Sequence, residues 1–450
     1  MAAQREHFGS GMTAVMAMAG SAIGLGNIWR FPYVVGQNGG AAFILVYLLC
    51  MVFLSLPIFL SEAIIGRSTH SSTFGAFGKL APGSGWKWVG TLTIITPLII
   101  LSYYSVVGGW SIGFLYESVA RGFSEAGADG RFGGFISSVG GPLVCHTLFL
   151  ALTAAIVLGG VKSGIERFNK MSMPLLFVLI VIIAVYSISL PGASAGVKYL
   201  VKPDFSLLTP KSFAYAMGQG FFSLSLGVGT ILTYSSYMKK EESILRTGAG
   251  TAGFDLLFAL IAGFAVMPAV FSAGIEPGAG PGLIFETLPY IFGKMGAAAP
   301  AASRAVSILF FLTIVIAALT SSISMFEVGA AYLVEEKGMS RRKAVAVIFT
   351  GTWALGVLCS LSFGPLGDFH IAGKTIFNFC DALTSNFLMT FGALLFVLFV
   401  GWKMDRGTVR SEFTNGGALP LSRLLFKPVM FLIRWVAPVA IVLIFITNLL

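Results

Sequence analysis

The chain has 450 residues, of which 56% are hydrophobic and only 11% are charged. A soluble protein carries roughly twice that charged share, so the composition excludes a soluble globular protein and indicates a membrane protein with several spans. The net charge of +10 does not indicate nucleic-acid binding, because the basic residues lie in short segments between apolar runs. The four cysteines show neither CxxC nor Cys/His spacing, so no disulfide framework and no zinc site is predicted.

Eleven apolar runs are long enough to cross a bilayer, which takes about 20 residues. They cover residues 11–34, 41–65, 88–116, 143–160, 170–190, 212–238, 250–274, 305–334, 343–363, 376–400 and 427–450. With the N-terminus inside, the inner segments hold more than twice as many Lys and Arg residues as the outer ones. The positive-inside rule therefore predicts a cytoplasmic N-terminus, and the odd number of spans predicts an extracytoplasmic C-terminus.

The first span contains a stretch, residues 20–32, that is unsuited to a regular membrane helix. Gly24, Gly26, Asn27, Arg30 and Pro32 all lie within it. A helix broken at membrane depth leaves peptide groups unpaired, at a cost of several kcal/mol each, unless they meet a ligand, an ion or another part of the protein. The stretch is therefore predicted to form a binding site.

The sixth span repeats this pattern. Gly24-x-Gly26-Asn27 corresponds to Gly227-x-Gly229-Thr230 five spans later, so the two copies cross the membrane in opposite directions. Paired broken helices at matching positions of inverted repeats are typical of secondary transporters. Glycines that only let helices pack closely are the alternative for either segment alone. The symmetric pair with polar neighbours favours two broken helices.

Four stretches resemble signatures of the neurotransmitter:sodium symporter family: GSAIGLGNIWRFPYVVGQNGGAAF, FFSLSLGVGTILTYSSY, ALTSSIS and SEAIIGR at the end of the second span. The resemblance extends over nearly the whole chain. It implies an all-α polytopic membrane protein with the LeuT fold, in which eleven transmembrane helices include a 5+5 inverted repeat with helices 1 and 6 unwound. The chain is then a single transmembrane domain, with repeat one at about 8–190, repeat two at about 212–401 and an extra helix at about 427–450.

Two sodium sites are implied by the same resemblance. The first takes the Ala22 carbonyl and the side chains of Asn27, Ser223 and Asp255. The second takes the carbonyls of Gly20, Ile23 and Ala317 and the hydroxyls of Thr320 and Ser321. Asp255 matches the family pattern only after a one-residue shift, and the alternative is a helix-end carboxylate beside a cytoplasmic loop. Since chloride-dependent relatives lack a carboxylate near the first sodium, Asp255 implies that chloride is not required.

The implied substrate is a neutral, hydrophobic amino acid. Its carboxylate meets the amides near Leu25 and Gly26, with the Tyr104 hydroxyl as an added donor. Members that carry biogenic amines have an acid at the position of Gly24, so glycine there implies a substrate with its own carboxylate. The complete predicted substrate set is Ala22, Gly24, Leu25, Gly26, Ile100, Tyr104, Phe222, Ser225, Val228, Ser321 and Met325.

Charged pairs are expected to act as gates, because partly hydrated pairs are weak enough to open in each cycle. Arg30 and Asp381 form the predicted outer gate, with Gln219 nearby and Tyr104 and Phe222 as a lid beneath. Arg5 and Glu335 form the predicted inner gate, supported by Tyr237 and Ser236, with Glu336 as the alternative acid. Glu62 is expected to accept hydrogen bonds from the unwound sixth span, because an unpaired charge inside the membrane is costly.

The sequence therefore predicts a sodium-coupled symporter of the cell inner (plasma) membrane that imports an amino acid by alternating access. A sensor or a channel-like protein on the same fold remains an alternative. No HExxH motif or facing Ser/Lys dyad is present, so an enzyme is not expected. The expected partners are the amino acid, two sodium ions and the lipid bilayer, without nucleic acid, in a monomer or weak homodimer.

Overall fold

The computed structural model describes residues 6–124, 130–274 and 284–449, and most of them lie in helices. The helices are α1 Gly11–Ala22, α2 Gly26–Gln37, α3 Ala41–Thr69, α4 Thr73–Leu80, α5 Lys87–Ala120, α6 Arg131–Ser137, α7 Gly140–Leu158, α8 Val161–Ile188, α9 Ser194–Val201, α10 Pro210–Ser223, α11 Thr230–Ser235, α12 Ile244–Ser272, α13 Thr287–Ala298, α14 Pro300–Glu335, α15 Arg341–Leu361, α16 Ile376–Lys403, α17 Arg406–Thr414 and α18 Pro420–Thr447. A short 3-10 helix covers Phe205–Leu207. Strands β1 His370–Ile371 and β2 Lys374–Thr375 pair antiparallel.

Within the described residues, nine helices are long and apolar enough to cross a membrane. The pair α1 and α2 forms a tenth span that is bent by 58° at its break. The sixth predicted run contains α10 and α11, which are too short to cross singly and are separated by six residues. These elements are consistent with the eleven predicted spans, and the two interrupted ones are those that the glycine pattern identifies.

Two helices begin well before the apolar runs that predict them. Helix α8 begins at Val161, after Gly160 adopts a φ of +80°, although the fifth run starts near residue 170. Helix α12 begins at Ile244, where the Ser243 side chain accepts from the Arg246 amide, although the seventh run starts near residue 250. Hydropathy marks the part of a helix inside the bilayer, whereas caps determine where the helix begins.

The helices differ in how deeply they are buried. In α5 and α14, 78% of the residues in the most apolar stretch of 18 are buried. These two helices pack against each other at the centre. In α18 the corresponding share is 28%, the smallest among the nine spans of the described chain. Helix α18 is therefore peripheral, and most of its surface faces outward.

A polar cluster connects α17 to the end of α3 and to the segment that follows α11. Arg67 at the end of α3 is 1% exposed, and its Nε lies 2.8 Å from Oε2 of Glu412 in α17. Lys240 forms an ion pair with the other oxygen of Glu412. The Asn415 amide donates to the carbonyls of Lys240, Glu241 and Glu242. The cluster joins the second span, the segment after α11 and α17.

Stability is expected to depend on the ionisation of Glu412. Burial raises the pKa of Glu412, but the hydrogen bond from Lys240 and the charge of Arg67 outweigh it and hold the pKa below its ordinary value. The stabilisation is therefore present above an unfolded pKa of about 4.3, and it is lost as the pH falls through the folded value. We expect Glu412→Gln to lower the melting temperature at pH 7, since it leaves the Arg67 charge buried without its partner. Thermal unfolding at pH 7 and near pH 4 checks this, and a difference that stays constant with pH would contradict it.

Candidate functional site

The first span unwinds between α1 and α2. Ile23 ends α1 in an extended conformation, with φ −72° and ψ 107°. The Gly24 amide donates to Oδ1 of Asn27 at 3.2 Å, and the Leu25 amide donates to the Tyr104 hydroxyl at 3.3 Å. Side chains therefore satisfy amides that a continuous helix would have paired with its own carbonyls.

The break in the sixth span depends on residues in the left-handed region. Ser225, Gly227 and Gly229 have φ values of 51°, 81° and 75°. A Cβ at Gly227 would lie 1.9 Å from the Met389 carbonyl oxygen, so only glycine fits there. The Gly227 amide donates to Oε1 of the fully buried Glu62 at 2.7 Å. Glu62 thus accepts a hydrogen bond from the unwound backbone of the sixth span, as the sequence predicts.

A cavity of about 340 Å³ lies between the two breaks. Its lining includes all eleven residues of the predicted substrate set, from Ala22 to Met325. It also includes residues that the sequence analysis did not assign to substrate, namely Trp29, Arg30, Tyr33, Tyr103, Val107, Phe377, Asp381, Ser385, Asn386 and Met389. Trp29 and Tyr33 are one helical turn apart and flank the predicted gate residue Arg30. Residues at this spacing share a face of a helix, so the sequence pattern of α2 could have placed both beside the cavity.

Three side chains predicted for the first cation site meet beside the break in α1. Asn27 Nδ2 lies 2.7 Å from Oδ1 of Asp255 and 3.3 Å from the Ser223 hydroxyl. The Ser223 hydroxyl donates to Oδ2 of Asp255 at 2.7 Å. All three residues are at most 1% exposed. Asp255 lies inside α12, twelve residues along it, and not at a helix end beside a loop.

The donor chemistry around Asp255 fits a hard cation. Within the described residues, Asp255 forms no ion pair with Lys, Arg or His. A fully buried carboxylate that receives only neutral donors is costly. The Asp255 carboxylate and the Ser223 hydroxyl offer the oxygen ligands that a hard cation prefers. Asn27 faces them with its Nδ2, and its Oδ1 accepts from the Gly24 amide.

The residues predicted for the second cation site also converge. The Thr320 hydroxyl donates to the Ile23 carbonyl at 3.2 Å and to the Ala317 carbonyl of its own helix at 2.8 Å. The Ser321 hydroxyl lies 3.3 Å from the Ile23 carbonyl. Gly20 lies beside Thr320, since a Cβ at Gly20 would be 3.5 Å from the Thr320 Cβ. Backbone and hydroxyl oxygens of α1 and α14 therefore face one another.

At the outer gate, Arg30 and Asp381 line the same cavity without forming an ion pair in the described structure. The Arg30 guanidinium instead lies 4.7 Å from the centre of the Phe222 ring. The Ser385 hydroxyl donates to Oδ1 of Asp381 at 3.0 Å. Gln219 is fully buried, and both of its side-chain polar atoms lack a hydrogen-bond partner in the described part of the chain.

At the inner gate, Arg5 lies outside the described residues. Oε2 of its predicted partner Glu335 accepts from the Ser72 amide at 2.7 Å, and Glu336 accepts from the Ser72 hydroxyl at 2.8 Å. The Ser236 hydroxyl donates to the Thr233 carbonyl. The two contacts of Ser72 attach the end of α14 to the start of α4.

Tyr237 contacts Glu327, an acid that the sequence analysis did not assign to a gate. Its hydroxyl donates to Oε1 of Glu327 at 2.8 Å, and Arg341 forms an ion pair with Oε2 of Glu327 at 2.6 Å. The Tyr237 carbonyl accepts from the Phe8 amide at 3.1 Å. An acid in the apolar eighth span is a recognisable signal, because intramembrane charges are rare and paired.

Comparisons with known proteins agree with this architecture. The sequence profile of the Sodium:neurotransmitter symporter family matches residues 5–126 and 133–450. The chain is 38% identical over 434 residues to the sodium-dependent transporter YhdH of Bacillus subtilis (strain 168), covering 96% of this chain and 95% of that protein. It is 35% identical over 464 residues to a sodium-dependent transporter of Haemophilus influenzae (strain ATCC 51907 / DSM 11121 / KW20 / Rd), covering 99% and 98% of the two chains.

A solved structure is similar over its whole length. The crystal structure of MhsT in complex with L-phenylalanine superposes with a TM-score of 0.89 at 39% identity, covering 99% of this chain and 100% of that one. MhsT has the LeuT fold, so the predicted fold is confirmed. Sodium-coupled symport, and not catalysis, is the activity of the matched family. The two broken spans, the buried oxygen clusters beside them and these similarities lead to one conclusion: the chain belongs to the Sodium:neurotransmitter symporter family.

Proposed function

We propose that this symporter imports a neutral, hydrophobic amino acid together with two sodium ions and without chloride. The observation that carries the proposal is the cavity between the two broken helices. Its apolar lining includes Ile100, Val228 and Met325, and Leu25 at the break in the first span lines the same cavity. Transfer of an apolar side chain from water into such a lining contributes about 25 cal/mol per Å². MhsT, similar over its full length, was solved with L-phenylalanine.

The substrate carboxylate is assigned to the amides that follow Gly24. The Leu25 amide donates to the Tyr104 hydroxyl at 3.3 Å, and a carboxylate bound there would take the place of this hydrogen bond and accept from both groups. Gly24 brings no charge of its own to this point. The substrate ammonium is assigned to the carbonyls around Phe222 and Ser225, where the sixth span is unwound.

The first sodium ion is assigned to Asn27, Ser223, Asp255 and the Ala22 carbonyl. An ion there neutralises the buried Asp255 carboxylate and lies close to the assigned substrate carboxylate. Each ligand then raises the affinity of the other by the same factor, as linkage requires. Asp255 supplies the negative charge that chloride would otherwise bring, so transport needs no chloride.

The second sodium ion is assigned to the oxygens of Gly20, Ile23, Ala317, Thr320 and Ser321. This cluster joins α1 to α14 directly, through the hydrogen bonds from Thr320 and Ser321 to Ile23. An ion bound there holds the two helices together, and its release lets α1 move. Approach of Arg30 to Asp381 closes the outer side of the cavity in this scheme, and Arg5 with Glu335 closes the inner side.

The membrane location, the topology and the oligomeric state are part of the same proposal. We assign it to the plasma membrane, with a cytoplasmic N-terminus, an extracytoplasmic C-terminus and a monomer or weak homodimer as the functional unit. Repeat one covers about 8–190 and repeat two about 212–401. The two repeats rock against each other around the cavity.

Uptake into proteoliposomes tests the proposal. We expect accumulation of labelled phenylalanine or leucine only when sodium is higher outside, and no dependence on chloride. Equal uptake with and without the sodium gradient would contradict symport and favour a channel. Sodium-dependent binding without any accumulation would favour a sensor. Glutamate and lysine serve as charged controls, and uptake of either at a comparable rate would contradict the assignment of a neutral substrate.

A further inference from the structure

A second cavity, of about 320 Å³, lies between the end of α16, α17 and α18, well away from the substrate cavity. Three basic residues line it, Arg406, Lys427 and Arg434, together with the aromatic residues Phe431 and Trp435. None of these residues belongs to a gate, a cation site or the substrate site.

The three basic residues have no acidic partner among the described residues. The two nearest acids in the sequence are already engaged. Asp405 accepts from the amide and the hydroxyl of Thr408, and Glu412 forms ion pairs with Arg67 and Lys240. The cavity is therefore a pocket of unneutralised positive charge, which favours an anionic occupant.

Arg434 is held in place within this pocket. Its Nε donates to the Gly401 carbonyl at 2.7 Å, and its guanidinium lies 5.9 Å from the centre of the Trp402 ring. Its two Nη groups have no acceptor in the described part of the chain. A planar guanidinium with two free NH₂ groups matches the oxygens of a phosphate.

The surroundings of the pocket are those of a membrane interface. Trp402 and Trp435 are 57% and 54% exposed, and their ring centres lie 4.9 Å apart. Exposed tryptophans of this kind lie at the level of the lipid headgroups. From the pocket an exposed apolar stripe continues along α18 through Phe431, Trp435, Val439 and Leu443, which are spaced by one helical turn.

We propose that this pocket binds an anionic phospholipid. The headgroup phosphate accepts hydrogen bonds from Arg406, Lys427 and Arg434, and an acyl chain lies along the apolar stripe of α18. A basic pocket between membrane helices is the arrangement that recognises acidic headgroups. The proposal rests on the membrane-spanning fold and not on the identity of the transported substrate.

Native mass spectrometry of the delipidated full-length protein tests the proposal. The protein is titrated with phosphatidylglycerol or with phosphatidylcholine of the same acyl chains. We expect one phosphatidylglycerol per protomer to be retained at least tenfold more tightly than phosphatidylcholine. The double variant Arg406→Gln/Lys427→Gln should reduce this preference at least tenfold. Arg434 is left unchanged because it also connects α18 to α16.

The control is the double variant Arg410→Gln/Arg423→Gln, which removes the same charge from exposed residues of the same segment that do not line the pocket. It should retain the preference of the wild type. An equal loss in both double variants would show a general effect of positive charge and overturn the proposal. The wild-type protein also tests the proposal without any variant. If it retained phosphatidylglycerol and phosphatidylcholine equally, the proposal would be overturned.

Two further results would assign the pocket to another occupant. Inorganic phosphate that displaces phosphatidylglycerol at millimolar concentration would identify a site for free phosphate instead of lipid. A dimer that forms without lipid and is lost in Arg406→Gln/Lys427→Gln would identify a second copy of the chain as the occupant. Either result would overturn the lipid assignment.

Discussion

Replacement of Gly24 by aspartate is expected to weaken amino-acid binding at least 100-fold. A Cβ at Gly24 would lie 2.4 Å from the Ser321 hydroxyl oxygen and 2.9 Å from the Tyr104 hydroxyl oxygen, so the new side chain enters the cavity beside the assigned carboxylate site. Two like charges at 4 Å repel by about 4 kcal/mol at an effective dielectric constant of 20, and 100-fold corresponds to about 2.7 kcal/mol. Equilibrium binding of labelled phenylalanine in sodium measures the change.

Gly24→Asn is the matched control, because asparagine has the same shape without the charge. It should weaken binding through the steric contact with Ser321, yet bind at least tenfold more tightly than Gly24→Asp. An amine that lacks the carboxylate should lose less affinity for Gly24→Asp than the amino acid does. Equal affinities of the two variants for phenylalanine would contradict the position assigned to the substrate carboxylate.

Asp255→Asn is expected to weaken sodium binding at least tenfold and to make the remaining binding depend on chloride. The amide keeps the shape of the side chain and can still accept from Asn27, which lies 2.7 Å from Oδ1, but it removes the fixed negative charge. A buried opposite charge at close range contributes several kcal/mol to cation binding. Sodium titration of substrate binding, in chloride and in gluconate, measures both effects.

Thr320→Ala, in the second cation cluster, is the companion variant. It removes the hydroxyl that lies 3.2 Å from the Ile23 carbonyl, so it should also raise the sodium concentration for half-maximal binding. It leaves Asp255 in place and should therefore stay insensitive to chloride. Chloride dependence of both variants, or of neither, would contradict the assignment of the anionic charge to Asp255.

Local sequence determines a large part of this architecture. The bilayer requires long apolar runs and paired backbone groups, so glycines at residues 24, 26, 227 and 229 identify the two broken spans. Glycine at residues 227 and 229 permits the left-handed φ values that the second break adopts. The family resemblance then located eleven of the residues that line the cavity. All of them except Ile100, Tyr104 and Met325 belong to motifs that are contiguous in the chain.

Only the tertiary structure determines which distant polar residues meet. Arg67 pairs with Glu412, 345 positions away, and Tyr237 donates to Glu327, 90 positions away. Net charge and hydropathy could not distinguish these partners from other Arg, Tyr and Glu residues, because a salt bridge inside a membrane protein depends on which helices pack together. The position of Asp255 beside Asn27 likewise depends on the packing of α12 against the break in the first span.

The sequence by itself therefore determined where apolar spans lie and which two of them are interrupted. Each unpaired peptide group in lipid has its cost within its own segment, so a local pattern is enough to show it. The packing of the helices determined the partners of the buried charges and the cavity at the end of α16, in which Arg406, Lys427 and Arg434 come together. Such contacts join segments that are remote along the chain. Their energies depend on the distance between the charges and on their burial, and a local sequence pattern contains neither.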